Sequence, residues 1–146
     1  MSNSRFVIVA GKGGHLVQAE RLKLLLVNSN KECIIVWPDS DLQLVEYSSK
    51  QKYSLMLIYE FINSLRWSLN NIHRNTEKIV SLGPLFSIPF MVYGRLRGIE
   101  VLHIESWSRF SKVSLTGKFA RFIGVKVFAQ NKELAEAYDL ECVGRL

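Results

Sequence analysis

The residues best suited to chemistry lie in one stretch of the chain, directly after an apolar run. Residues 99–104 are apolar and β-rich and predict a buried strand. The polar residues that follow are Glu105, Ser106, Arg109, Ser114, Thr116, Gly117 and Lys118. In open α/β sheets, ligands bind beyond the carboxyl ends of the strands. Because these groups are costly to bury, we expect them to face a ligand or a partner.

A second candidate site follows the first predicted strand, residues 6–10. There Gly11, Gly13 and Gly14 lead to His15 at the start of a helix. Glycines allow a tight turn, and a helix N-terminus offers free N–H groups that suit phosphate. The spacing matches neither GxGxxG nor a P-loop. His15 is a candidate general base, and a role in capping or packing is equally open.

We expect no bound metal. His73 and His103 do not stand near other ligand types at zinc spacings. A D-x-D pattern occurs at residues 39–41, but it follows the second strand, away from the two motif loops. Cys33 and Cys142 lie in apolar runs without a CxxC pair, which predicts buried reduced thiols.

The charge of the chain is concentrated in one block. All of the net charge of +6 belongs to residues 95–132, which contain eight basic and two acidic residues. Such a block attracts phosphates, anionic lipid headgroups or an acidic partner, and a solvated surface is the alternative. The N-terminus leads straight into a strand, and no apolar run reaches the ~20 residues of a spanning helix. We therefore expect a cytoplasmic protein that can contact a membrane surface.

Strands and helices alternate along the 146 residues, which suit a single domain over residues 1–146. The predicted strands are residues 6–10, 33–37, 78–82, 99–104, 125–129 and 141–143. The predicted helices are residues 15–28, 53–74, 85–97 with a disturbance at Pro89, 115–123 and 132–138. This order predicts an α/β fold: a Rossmann-like, mostly parallel sheet with helices on both faces.

The long helix carries more apolar residues than one core face needs. Its predicted core stripe is Leu55, Ile58, Ile62, Leu65, Leu69 and Ile72. Tyr53, Leu57, Tyr59, Phe61 and Trp67 fall off that stripe. The surplus indicates either a helix buried on two sides or a surface for lipid, a partner or an apolar ligand.

Three motifs, in this order, resemble one family. They are the GKGGH turn, Gly83-Pro84 after the third strand, and IESWSRFSKVSLTGK after the fourth. The family is the membrane-associated subunit of the two-part UDP-sugar transferase of lipid-linked N-glycan assembly, asparagine-linked glycosylation protein fourteen. Its bacterial relatives, of the PssD and CpsF type, act in capsule and exopolysaccharide assembly. The GGH turn is shared with the peptidoglycan transferase MurG.

This resemblance implies the acceptor-side, N-terminal half of a split GT-B glycosyltransferase. A separate subunit would supply the C-terminal half and bind the UDP-sugar, so this chain would need no cofactor of its own. The acceptor would be a polyprenyl pyrophosphate that carries a first sugar, at the inner face of the plasma membrane. The ending Gly144, Arg145 and Leu146 resembles the family's contact with that subunit.

The implied reaction needs a base for the acceptor hydroxyl and stabilisation of the leaving UDP. The base candidates are His15 and Glu105, although a Glu105–Arg109 pair that orients the loop is an equal alternative. Lys112, Lys118 and the start of the helix near residue 115 could hold the acceptor pyrophosphate. Family members often read VQW where this chain has Phe128, Ala129, Gln130 and Asn131.

Three other functions remain open at this point. The chain could be a non-catalytic membrane anchor that recruits and activates the donor-binding subunit. It could be a nucleotide-binding dehydrogenase, although the third glycine of that fingerprint is missing. Nucleic-acid binding is suggested by a pI of about 9.5, but the basic block lacks the interleaved aromatics of an RNA-binding surface.

Overall fold

The computed structural model describes residues 5–37, 53–73 and 75–146. Strands and helices alternate through them. In chain order they are β1 (Arg5–Ala10), α1 (Gly14–Asn28), β2 (Glu32–Val36), α2 (Tyr53–Asn71), β3 (Thr76–Leu82), a 3₁₀ turn (Leu85–Ser87), α3 (Ile88–Leu96), β4 (Glu100–Ile104), α4 (Leu115–Phe122), β5 (Lys126–Ala129), α5 (Lys132–Tyr138) and β6 (Glu141–Cys142). The order of elements matches the sequence prediction.

The strands of the described residues form one sheet in the order β2-β1-β3-β4-β5-β6, and every neighbouring pair is parallel. Side chains alternate between the two faces of a strand. Val7 and Val9 of β1 therefore enter the core beneath α2, α3 and α4, and Ile8 and Ala10 enter the core beneath α1. Helices cover both faces, which confirms the predicted Rossmann-like class.

Element boundaries differ from the prediction where local chemistry is ambiguous. β3 begins at Thr76, two residues before the predicted start. Pro89 lies in the first turn of α3, and the 3₁₀ turn precedes it. Proline lacks the N–H that a first turn leaves unpaired anyway. It therefore begins this helix rather than disturbing one.

The stripe predicted to be the core face of α2 is mostly at the surface. Ile58, Ile62 and Leu69 are 55%, 48% and 61% exposed. The helix buries Ser64 and Ser68 instead, because small side chains let its backbone approach its neighbours closely, and Ser68 Oγ donates to the Ser64 carbonyl. The predicted core stripe was therefore wrong for Ile58, Ile62 and Leu69, whereas Leu65 and Ile72 of the same stripe do pack in the core. No helix in the described part of the chain is long and apolar enough to cross a membrane.

The two cysteines are less buried than the sequence predicts. Cys33 is half-buried and Cys142 is exposed. Cys142 lies in β6, a strand of only two residues at the edge of the sheet. An apolar run in so short an edge strand is left open to solvent, so the expectation of a buried Cys142 was wrong.

Candidate functional site

The predicted motif residues meet at one rim of the sheet. Because every strand pair is parallel, all carboxyl ends lie at the same edge. The glycine turn with His15 follows β1, Gly83 follows β3 and Glu105 follows β4. β1 and β4 flank β3, so on strand spacing alone the turn and the carboxylate are roughly 10 Å apart. Glu105 and Arg109 are both close enough to His15 to influence its pKa.

His15 lies in the first turn of α1 and is packed against two glycines. Gly13, with φ 68°, turns the chain into the helix. A Cβ at Gly83 would lie 2.7 Å from His15 Cε1, and a Cβ at Gly11 would lie 3.3 Å from His15 Cδ2. Gly14 has open space around it. The imidazole thus occupies space that a side chain at position 83 would fill.

The surroundings of His15 favour its neutral form. Burial lowers the pKa of His15 below its ordinary 6.5, and the positive charge of Arg109 lowers it further. Glu105 raises the pKa of His15, and His103 lowers it. Nδ1 of His15 is buried without a hydrogen-bond partner in the described residues. His15 is therefore neutral at pH 7, and Nε2 is the ring nitrogen left for a ligand.

Glu105 is only 1% exposed, and its Oε1 is held by hydrogen bonds. Its Oε1 accepts hydrogen bonds from the Ser114 N–H at 3.1 Å and from Ser114 Oγ at 2.7 Å. Nε2 of His103 lies 3.4 Å from the same oxygen. Burial raises the pKa of Glu105, but the contacts with His103 and Ser114 outweigh burial and bring it below its ordinary 4.5. In the described residues the ionisable group that faces Glu105 Oε1 is His103, not Arg109.

The first turn of α4 is built around this carboxylate. Ser114 is the N-cap residue, and its Oγ accepts the Gly117 N–H at 2.9 Å. A Cβ on Gly117 would overlap Glu105 Oε1. Thr116 is buried, and Lys118 is exposed. Ser114 and Gly117 therefore fix Glu105, and Lys118 is open to a ligand.

The loop between β4 and α4 presents cations to solvent. Arg109 and Lys112 are exposed. Ser106 is half-buried, its carbonyl accepts the Arg109 N–H at 3.0 Å, and its Oγ lies 3.0 Å from Ser108 Oγ. Ser106 therefore shapes the turn that carries Arg109.

Asn131 ties this loop to the start of α5. Its Oδ1 accepts the Leu134 N–H at 2.8 Å, which caps the helix. Its Nδ2 donates to the carbonyl of Arg109, and to the carbonyl of Trp107 at 3.3 Å. Asn131 therefore caps α5 and also holds the β4–α4 loop against the first turn of that helix.

Several buried polar residues beneath the rim escaped the sequence prediction. They are Gln18, Ser81, Ser87, His103 and Gln130. Gln130 Nε2 donates to Gln18 Oε1 at 3.2 Å and to the Glu105 carbonyl at 3.0 Å. Residues two apart on a strand share a face, which could have paired His103 with Glu105. Nothing in the sequence pairs Gln18 with Gln130, because they are 112 positions apart.

The residues predicted to contact a partner subunit lie at the same rim. The Leu146 N–H donates to Gln130 Oε1 at 2.9 Å. The Arg145 guanidinium lies 4.3 Å from the centre of the Trp107 ring, which is a cation–π distance. Gly144 is exposed. Their contact with another subunit stays a prediction.

Other parts of the molecule are separate from this rim. A cleft of about 380 Å³ opens at the opposite, amino-terminal edge of the sheet, lined by Ile72, His73, Tyr93, Leu96, Arg97 and Ile99. None of the predicted site residues lines it.

The described residues contain no group of three or more His, Cys, Asp or Glu that could hold a metal ion. The D-x-D pattern at residues 39–41 lies outside the described residues.

Comparison with known proteins finds a likeness at the level of structure. No protein-family model and no curated protein matches the chain. Among solved structures, the chain is similar to the crystal structure of Acinetobacter baumannii MurG, with a TM-score of 0.59 and 16% sequence identity over 89% of this chain. It spans 42% of the MurG chain.

The sheet topology and this likeness define the fold class of the chain. MurG is a GT-B glycosyltransferase, and this chain has an α/β, Rossmann-like, GT-B glycosyltransferase-like fold. The predicted fold class is thereby confirmed. An identity of 16% is evidence for the fold alone. The reaction, the substrates and the partner are therefore matters of proposal.

Proposed function

We propose that this chain is the acceptor-side subunit of a split GT-B glycosyltransferase. It adds a sugar from a UDP-sugar to a polyprenyl-pyrophosphate-linked sugar, in bacterial capsule or exopolysaccharide synthesis or in lipid-linked oligosaccharide synthesis. A separate GT-B C-terminal-half subunit binds the donor, and this chain alone is inactive. The observation that carries the proposal is a neutral, glycine-packed His15 at the carboxyl-end rim of a GT-B-like sheet.

His15 is the base of the proposed reaction. The acceptor hydroxyl gives its proton to His15 Nε2, and its oxygen forms a bond to the anomeric carbon of the donor sugar. The bond from that carbon to the UDP oxygen breaks with inversion, and UDP leaves with the electron pair. Burial and Arg109 keep His15 unprotonated at pH 7, as a general base requires.

Glu105 has a positioning role in this proposal. Its Oε1 is occupied by Ser114, and the side chain is buried. A buried carboxylate with one oxygen fixed in this way is poorly placed to take a proton from an acceptor hydroxyl. Of the two base candidates, His15 is therefore favoured, and Glu105 holds the first turn of α4.

The acceptor pyrophosphate lies among the cations of the rim. Arg109, Lys112 and Lys118 are exposed there, next to the start of α4. Positive side chains attract a phosphate, and these cations lie near the first turn of α4, where the Ser114 and Gly117 N–H groups are already bonded within the protein. The polyprenyl chain then enters the inner face of the plasma membrane, where the subunit is held peripherally by the apolar outer face of α2 and the basic block. No nucleic acid takes part.

A second candidate function is a non-catalytic anchor that recruits and activates the donor-binding subunit. The outward apolar stripe of α2 favours it, because an anchor needs a lipid-facing surface more than it needs a base. The two functions differ in what they require of His15. A pure anchor keeps transfer activity without the imidazole.

The experiment pairs two histidine variants in the assembled enzyme. The chain is co-expressed with a GT-B C-terminal-half protein from the same organism, and sugar transfer to a polyprenyl-pyrophosphate sugar is measured. His15→Ala should lower kcat by about 10²- to 10⁴-fold, the range for loss of a general base. His73→Ala, at the opposite edge of the sheet, should leave kcat unchanged. Full activity of His15→Ala with intact partner binding would favour the anchor, and wild-type protein without any transfer would refute both functions.

A further inference from the structure

The side-chain amide of Gln130 makes three hydrogen bonds at the end of β5, and two of them are to the backbone. Its Oε1 accepts the Leu146 N–H at 2.9 Å, and its Nε2 donates to the Glu105 carbonyl at 3.0 Å. A backbone N–H can only donate and a backbone carbonyl can only accept. These two bonds therefore fix which end of the Gln130 amide is the oxygen and which is the nitrogen.

The third bond of this amide reaches the helix that carries His15. Gln130 Nε2 also donates to Gln18 Oε1 at 3.2 Å. Gln18 lies three positions after His15 on α1, so the two side chains are neighbours on one face of the helix. Gln130 and Gln18 are 5% and 4% exposed. Amides buried this deeply are costly unless they are bonded, so this bond links β5 to α1 at a defined position.

A second link joins α1 to Gln130 through the end of the chain. The Leu146 carbonyl accepts a hydrogen bond from Arg21 Nη1 at 3.1 Å, while the N–H of Leu146 donates to Gln130. Arg21 lies three positions after Gln18 on α1. The four residues therefore form a closed ring of contacts in which Gln130 bonds both to the helix and to the residue that the helix holds.

The end of β5 also holds the loop that presents the cations. Gln130 is bonded to the carbonyl of Glu105, where the β4–α4 loop begins. The next residue, Asn131, is bonded to the carbonyl of Arg109 further along the same loop. The helix that carries His15 and the loop that carries Arg109 thus meet at one buried side chain.

We propose that Gln130 is a positioning residue of the rim, whose amide sets the place of His15 on α1 relative to Arg109 on the β4–α4 loop. It acts through Gln18 on the helix and through the Glu105 carbonyl on the loop. Such placement matters because a general base must lie within hydrogen-bond reach of the proton that it takes, and a displacement of ~1 Å can cost about 10²-fold in rate. The consequence for sugar transfer rests on the proposed function, whereas the coupling of α1 to the loop does not.

The coupling is measured on the whole chain without substrate, by proton NMR titration of His15. The signal is assigned by its loss in His15→Gln. Arg109→Gln removes a positive charge and should raise the pKa of His15. In a Gln130→Leu background, where the helix and the loop are no longer held together, this rise should be at most about half as large. An equal rise in the two backgrounds would overturn the proposal.

Gln18→Leu tests the link to α1 by itself and decides the matter if Gln130→Leu does not fold. It removes the bond to the helix but leaves the bonds of Gln130 to Glu105 and Leu146. The effect of Arg109→Gln on His15 should again be smaller than in the wild type. Hydrogen exchange of the Leu146 N–H should stay slow in Gln18→Leu and become fast in Gln130→Leu. A full effect of Arg109→Gln in folded Gln18→Leu would refute the role of this link.

Val101→Ala is the control for a general loss of stability. Val101 is 5% exposed and packs in the core near the amino-terminal end of β4, away from the rim. This variant should be less stable in chemical denaturation and should keep both the full effect of Arg109→Gln and slow exchange of Leu146. Reduced coupling in Val101→Ala as well would show that destabilisation, not loss of the amide, is the cause.

The positioning role in the reaction is tested by a double substitution in the transfer assay with the partner subunit. Gln130→Leu should lower kcat at least about tenfold and leave KM for the donor unchanged, because the donor binds the other subunit. If Gln130 acts through His15, adding Gln130→Leu to His15→Ala should cause no further loss. Losses that multiply in the double variant would refute the positioning role. Absence of transfer by the wild type would refute the proposed function alone, since the titration result does not depend on it.

Discussion

At the scale of single residues, Gly83 decides where the His15 imidazole lies. Its φ of 94° is a conformation that side chains disfavour, and a Cβ there would meet His15 Cε1 at 2.7 Å. Gly83→Ala therefore combines backbone strain of about 1–2 kcal/mol with displacement of the ring. We expect lower stability in chemical denaturation and, in the assembled enzyme, a loss of transfer close to that of His15→Ala.

Gly98→Ala is the matched control for Gly83→Ala. Gly98 has φ 69° and open space where a Cβ would lie, so this variant carries the backbone strain without touching the site. It should lose stability by a similar amount and keep its activity. Equal losses of activity in the two variants would show that destabilisation, not displacement of His15, is the cause.

The charges around His15 predict how its titration responds to substitution. Arg109→Gln removes a positive charge and should raise the pKa of His15, and Glu105→Gln removes a negative charge and should lower it. Proton NMR of the imidazole against pH measures both. Shifts of the same sign in both variants would contradict the electrostatic account of the site.

The lowered pKa of His15 also makes the folding stability of the protein depend on pH. At pH values below 6.5, the ordinary pKa of His15, this side chain binds a proton more readily in the unfolded chain than in the folded chain. The contribution of His15 therefore lowers stability as the pH falls below about 6.5. In His15→Gln this part of the pH dependence of unfolding should disappear.

At the scale of elements, the two functions of Asn131 can be separated. Asn131→Ala loses the cap of α5 and both bonds to the β4–α4 loop, and should cost about 1–2 kcal/mol. Asn131→Asp keeps an oxygen for the Leu134 N–H but loses the donors to Trp107 and Arg109. Hydrogen exchange should rise in residues 106–113 in both variants, and in α5 only in Asn131→Ala. Unchanged exchange in the loop would show that Asn131 does not hold it.

The elements themselves were largely predictable, because short β-branched runs and helical periodicity alternate clearly along the chain. α2 shows where this reasoning fails. Periodicity finds an apolar stripe but not which side meets the sheet, and here Ser64 and Ser68 pack inward while Ile58 and Ile62 face out. The face that a helix buries depends on how closely neighbouring elements pack against it. A local sequence pattern does not contain that information.

The candidate site was predictable only in part, for a similar reason. Motif spacing identified His15, Glu105 and the Ser114–Gly117 turn, because each lies just past a strand end. For His103 the sequence argues only against a zinc site and does not predict the hydrogen bond with Ser81, which is 22 positions away. Buried hydrogen bonds join residues on strands that are distant in sequence. A single sequence shows those residues but not which of them are bonded to each other.

At the scale of the whole molecule, α2, α3 and α4 share one face of the sheet and are rich in basic residues. These three helices carry four basic residues and one acidic residue, whereas α1, on the opposite face, carries two basic residues and one acidic residue. The three helices also expose large apolar side chains, among them Ile62 of α2, Leu115 and Phe122 of α4, and Leu96 of α3. Apolar and basic groups on one face suit an anionic lipid surface.

This asymmetry predicts which face binds a membrane in the proposed function. Wild-type protein should sediment with vesicles that contain anionic lipid, and less so as salt is raised, because the basic residues contribute. Ile58→Glu combined with Ile62→Glu places two charges on the outer face of α2 and should reduce binding at least about tenfold. Neither side chain contributes to the core, so the fold should be retained.

The matched control places the same two charges on the other layer. Val17 and Leu24 lie seven residues apart on α1 and are 48% and 64% exposed, so Val17→Glu with Leu24→Glu makes an equal change in charge and surface hydrophobicity. Its vesicle binding should fall only by the smaller, long-range effect of net charge, which salt screens. If both double variants lose binding equally, net charge rather than the α2 face accounts for it. If neither does, the outer face of α2 is not the surface that binds the vesicle.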